Sequence, residues 1–113
     1  MRIISQDRNY DLPYENVYIF RIVNGIKAVP LGVDRNNNIN IGDYEKIQDS
    51  MIAMAHIQVL YAINAPVCVM LTKERAADLQ NEYRMTGNGE TYIEFLSKVF
   101  AKSSNGASDD GKA

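Results

Sequence analysis

Apolar side chains along this chain keep two different periods. Up to residue 43 they come in short β-rich runs, and from Tyr44 onward they recur at helical spacing. The clearest strand is Val17 to Val23 (VYIFRIV). Asn24-Gly25 follows, a dipeptide that tolerates the two positive φ angles of a type I′ hairpin turn, and then Ile26 to Leu31. That turn places Val23 opposite Ile26 and Phe20 opposite Val29, while Pro30, with no N–H to donate, predicts that the second strand lies at an edge near that point. Before the hairpin, Arg2 to Gln6 reads as a short strand, Asp7 to Asn9 as a polar break and Asp11-Leu12-Pro13 as extended chain. After it, the polar loop Asp34 to Asn38 leads to Ile39-Asn40-Ile41, one more strand of a meander, with Gly42 and Asp43 expected to open a helix.

The spacing predicts that helix over Tyr44 to Asn64, with Glu45, Lys46, Gln48 and Asp49 wetting its first turns. In its second half, Met51 to Ile63, only His56 and Gln58 are polar. A helix apolar nearly all round needs cover on more than one side, and the rest of a small chain is expected to supply about one small sheet. A homo-oligomer built on Met51, Met54, Ala55, Val59, Leu60 and Ile63 is the expectation that follows. Ala65-Pro66 stops the helix before the strand-like Val67 to Thr72, and Thr72 caps a second helix, Lys73 to Arg84, with Ala76, Leu79 and Tyr83 on its apolar stripe. Thr91 to Ala101 fits either helical spacing or a bulged strand. Residues 102–113 carry no large apolar side chain and are expected to form a disordered tail. The fold class is therefore α+β, a single domain over 1–101: an antiparallel β-meander, a long apolar helix, a strand, a second helix and a final apolar element.

Composition adds limits. A chain of 113 residues, 46% apolar and 23% charged, is of single-domain size, and a net charge of −2 with scattered Lys and Arg argues against nucleic-acid binding. Cys68 is the one cysteine, so no internal disulfide can form. The N-terminus lacks a signal-peptide core and the main helix is too short to span a bilayer, so a cytoplasmic protein with no membrane partner is expected.

Candidate chemistry is sparse. Asp34 to Glu45 has oxygen-bearing side chains at positions one, three, five and twelve of an EF-hand loop, but Ile39 stands where that loop needs glycine, and no metal is expected. His56 is the one histidine, read as a packed residue, and a nucleophilic pair with Cys68 has no orienting motif around it. Arg84, Gly87, Asn88, Gly89 and Tyr92 together suggest a site for a small anionic ligand such as a nucleotide: a cation, two conformationally free glycines and a ring to stack on a base. The tyrosines, among them Tyr10, Tyr14, Tyr18 and Tyr61, suit surfaces apolar in body and polar at the tip.

Met1-Arg2-Ile3-Ile4-Ser5-Gln6-Asp7, followed by Asp11-Leu12-Pro13-Tyr14-Glu15, resembles the start of small, functionally unassigned proteins of phages and mobile elements of Firmicutes. The resemblance spans the first fifteen to twenty residues, implies a β-meander followed by a helix, and brings no site residues with it. Its implied context is a phage protein that interferes with a host defence. Two classes of function remain: a non-enzymatic, oligomeric interaction protein that inhibits a host protein or sequesters a small ligand, without cofactor, or a nucleotide-processing enzyme using Arg84, the Gly87 to Gly89 loop, Glu90 and Glu94. A phage structural or regulatory accessory is not separable from the first.

Overall fold

A computed structural model describes residues 1–101; the expected tail, 102–113, lies outside the described residues. The chain runs β1 (Arg2–Ile4), β2 (Asp11–Pro13), a 3-10 turn (Tyr14–Asn16), β3 (Val17–Ile22), β4 (Gly25–Pro30), a second 3-10 turn (Arg35–Asn37), β5 (Ile39–Asp43), α1 (Ile47–Ala62), β6 (Val67–Val69) and α2 (Lys73–Thr86). A third helix, α3, spans 92–101. The fold is α+β with two three-stranded sheets, not one. β3-β4-β5 is an antiparallel meander, and β2-β1-β6 has β1 antiparallel to β2 and parallel to β6, Ile3 standing opposite Cys68.

The hairpin register differs from the one its sequence predicts. Ile22 pairs with Gly25, Phe20 with Lys27 and Tyr18 with Val29, so the turn is Val23-Asn24 and not Asn24-Gly25. Hydrogen bonds outside the hairpin account for the slip. Asn24 donates its side-chain amide to the Tyr44 carbonyl and accepts at its own carbonyl from Tyr44 N at 3.0 Å. Gly25, freed from the turn, sits buried opposite Asp43, where an added Cβ would lie 3.4 Å from the Asp43 carboxylate. The strain passes to Val23, a β-branched residue at φ 54°.

Two further expectations are corrected. β4 is the central strand of its sheet, and Pro30 is tolerated because it lies beyond Ala28, the last β4 residue paired with β5. Gly42 and Asp43 do not open the helix: they pair with Ile26 and Gly25 as part of β5, a bulge seats Ile41 in the core, and α1 begins only after Lys46.

α1 packs against β3, β4, β6 and α2, while Phe100 of α3 lies on His56 with ring centroids 5.5 Å apart. The chain therefore covers its own main helix more fully than one sheet could. Ala55 and Val59 lie in the intramolecular core, with Ile52, Ala53 and Ile57. The helix is not apolar on every side either, since Asp49, Ser50 and His56 are among its buried residues. One stripe stays open: Ile47, Met51, Gln58 and Tyr61 are exposed and Met54 half-buried, at alternating four- and three-residue spacing.

α2 starts as its sequence predicts, with Thr72 Oγ1 accepting from Arg75 N at 3.0 Å. α3 resolves the ambiguity at 91–101 in favour of helix. Thr91 Oγ1 accepts from Glu94 N and Glu94 Oε1 accepts from Thr91 N, each at 3.1 Å, a reciprocal capping box. Phe95 and Leu96 then join one core with Ile3, Ile26, Ile41, Ile52, Cys68 and Leu79. Among the described residues no helix is long and apolar enough to cross a membrane.

Candidate functional site

The α1 stripe forms the floor of an open, partly apolar groove. β3 is one of the two edge strands of the meander, β5 being the other. Because Ile22 and Gly25 flank a two-residue turn, even-numbered β3 residues direct their main-chain groups to β4, and Val17, Ile19 and Arg21 direct theirs outward. Val17 N is taken by the Tyr14 carbonyl, but among the described residues no main-chain hydrogen bond engages Ile19 or Arg21 on that outer side. The free edge is thus a row of unpaired donors and acceptors.

Two depressions run along it, of about 450 and 310 Å³, sharing Met54 and Gln58. The first is walled by Val17, Ile19 and Tyr61, with Tyr61 packed on Tyr14 at 4.6 Å, and ends at Glu15. The second runs past Met51 to Arg21 on one side and Tyr92 and Ile93 on the other. One end therefore carries a guanidinium and the other a carboxylate, the latter held 2.7 Å from the N-terminal ammonium, which keeps Glu15 below the usual carboxylate range. On the opposite face of β3, Arg35 lies over Phe20 at 4.5 Å and Tyr18 at 5.3 Å and covers that side.

Of the residues the sequence marks for an interface, Met51, Met54 and the largely buried Ala55 line this groove, Ile63 is exposed just past the end of α1, Leu60 is half-buried, and Val59 is buried within the chain. The residues marked for an anionic ligand do not converge. Arg84 lines a separate cleft between α1 and α2 and donates to Asn81, whereas Tyr92 packs on Tyr83 at 4.5 Å and faces the groove. Gly87 is a packing glycine: its N–H donates to the Tyr83 carbonyl at 2.7 Å, and a Cβ there would stand 2.5 Å from that oxygen. Asn88 and Gly89 form the turn with φ of 47° and 81°.

His56 and Cys68 do come together, with Sγ 3.8 Å from Nδ1, in the core. Burial pushes the Cys68 thiol up to about 12 and, with a smaller contribution from Arg75, the His56 imidazole down to about 4. Both are neutral near pH 7, so the pair has neither thiolate nor imidazolium. Asp34 Oδ1 accepts from Asn36 N at 2.9 Å, and strand β5 separates it from Glu45. Among the described residues no group of three or more His, Cys, Asp or Glu could hold a metal ion.

The sequence signals missed β3 as the open edge, because Pro30 pointed to β4. No protein-family model, curated protein or solved structure matches the chain.

Proposed function

We propose that this is a non-enzymatic interaction protein that works by strand addition at β3, its first partner being a second copy of itself. The free main-chain groups of Ile19 and Arg21 beside an exposed apolar helix stripe carry this reading. Antiparallel pairing of two β3 strands about a twofold axis joins the two meanders into one six-stranded sheet and sets the Arg21 end of each groove beside the Glu15 end of the other. Hydrogen bonds supply affinity along the edge, and Met51, Met54 and Tyr61 supply the apolar contact.

The opening residues, similar to those of phage and mobile-element proteins, support a counter-defence role in which the assembled protein inhibits a host protein in the cytoplasm. The neutral His56–Cys68 pair supports binding over nucleophilic catalysis. Amide hydrogen exchange at rising protein concentration tests the edge directly. Slower exchange at Ile19 and Arg21 as concentration rises supports the pairing, and rates independent of concentration up to the millimolar range contradict it.

A further inference from the structure

An asparagine that precedes glycine has a side-chain amide open to attack by the next main-chain nitrogen, because glycine has no side chain to shield that nitrogen or to hinder its rotation toward Cγ. Two such pairs, Asn24-Gly25 and Asn88-Gly89, are among the described residues, and a third, Asn105-Gly106, lies outside them. The fold treats the first two differently. Asn24 donates its side-chain amide to the Tyr44 carbonyl and accepts at its own carbonyl from Tyr44 N, while Gly25 is buried and paired with Ile22 at the closed end of the hairpin. Bringing the Gly25 nitrogen onto Asn24 Cγ would break that end of the ladder and its tie to Tyr44 together.

Asn88 and Gly89 are the central residues of the turn between α2 and α3. Their φ of 47° and 81° are the paired positive angles of a type I′ turn, which Glu90 N closes by donating to the Gly87 carbonyl at 2.9 Å. Both residues are exposed, and no hydrogen bond of the described residues engages the Asn88 side chain or the Gly89 N–H. An added Cβ at Gly89 would meet no atom within 4 Å, so the backbone there has room to rotate. We propose that Asn88 is a site of spontaneous covalent modification, deamidating through Gly89, and that the fold holds Asn24 unreactive. The Gly89 nitrogen attacks Asn88 Cγ, a C–N bond closes a cyclic succinimide, and Nδ2 leaves as ammonia with the proton that the Gly89 amide gives up. Water then opens the ring at either carbonyl, leaving aspartate or isoaspartate at position 88. The new carboxylate stands at the C-terminal end of α2, the negative end of its dipole, and isoaspartate adds a methylene to the main chain inside the turn. Glu90 follows directly, pairing with Lys98 of α3 at 2.6 Å and accepting the Tyr83 hydroxyl at its carbonyl, so the change loosens α3 on α2. This chemistry needs no partner and is independent of strand addition at β3.

Incubation of the full chain at pH 8, native and in denaturant, followed by trypsin digestion and mass spectrometry, tests it. Cleavage after Lys and Arg puts the three Asn-Gly pairs in separate peptides, 22–27, 85–98 and 103–112. The expected result for the native chain is conversion in 85–98 roughly tenfold or more faster than in 22–27, and for the unfolded chain rates within about threefold of each other. Asn88→Gln, whose longer side chain closes a ring far more slowly, should abolish conversion in 85–98. Aged wild-type protein should exchange the amides of Phe95 and Leu96 faster than fresh protein, and aged Asn88→Gln should not. A native ratio below tenfold, the same ratio in the unfolded chain, or conversion in 85–98 that persists in Asn88→Gln overturns the assignment, and unchanged exchange at Phe95 and Leu96 overturns the effect on α3.

Discussion

His56 Nδ1 and Cys68 Sγ stand 3.8 Å apart with both side chains buried, a spacing that in a wet, electropositive cleft would suggest a nucleophile and its base. Burial decides otherwise, because each group loses more by charging in the core than its neighbour returns. The pair is a packed thiol against a packed imidazole, closed over by Phe100.

The first consequence is a pH dependence of stability. His56 titrates at about 4 in the folded protein against an ordinary value of 6.5, so the unfolded chain takes up this proton first as pH falls. Stability is complete above pH 6.5 and declines toward pH 4, by about 3 kcal/mol in total. Urea denaturation at half-unit steps should show this slope, and His56→Gln, though less stable overall, should flatten it. An unchanged slope in that variant assigns the effect elsewhere.

The second concerns the thiol. With Cys68 pushed up to about 12 and fully buried, an aromatic disulfide reagent at pH 8 should label native protein only at the rate of unfolding, and label denatured protein at once. Rapid labelling of the folded chain would mean that the Cys68 environment is open.

The third lies at the hairpin tip. Val23 holds φ 54° and is 64% exposed, so little apolar burial offsets the strain. Val23→Asn or Val23→Gly should stabilise the protein by about 1 kcal/mol. A loss of stability in both variants, measured by thermal and urea unfolding, would show that the turn is built differently.

The two glycines after α2 should behave differently from each other. An alanine Cβ at Gly87 meets the Tyr83 carbonyl at 2.5 Å, so Gly87→Ala is expected to cost roughly 1 to 3 kcal/mol through backbone displacement. Gly89→Ala has open space around it and pays only for φ 81°, about 1 kcal/mol. Equal effects in a denaturation series would argue against the close approach at Gly87.

How far these features could be read from the residues depends on how local their causes are. Thr72 as a cap, the strand character of Val17 to Ile22 and the helical stretch through Met51 to Ala62 rest on neighbouring residues and were legible. The helix at 92–101 is marked locally too, by the Thr91 and Glu94 capping box, although the apolar period of that run fits helix and strand alike. The hairpin slip was not legible, because Asn24 is drawn out of the favoured turn position by Tyr44, twenty residues away. Nor was the second sheet, in which Ile3 finds Cys68 only after the whole meander and α1 have intervened. That missing sheet led to the expectation of a helix whose cover on more than one side had to come partly from a second copy. The candidate surface was half legible: Met51 and Met54 come from helical spacing, whereas the open edge at Ile19 and Arg21 depends on which strand of the hairpin lies outermost.

The central claim is that β3 pairs with β3 of a second copy, and sedimentation equilibrium on wild type and Ile19→Pro tests it most directly. Ile19 N–H points away from β4, so proline at this edge position removes a bond to the partner and none within the hairpin. The account predicts a wild-type dimer of twice 12.7 kDa at micromolar concentration and a folded monomer, by circular dichroism, for the variant. A wild-type chain that sediments as a 12.7 kDa monomer throughout, or an Ile19→Pro variant that is folded and still dimeric, contradicts it.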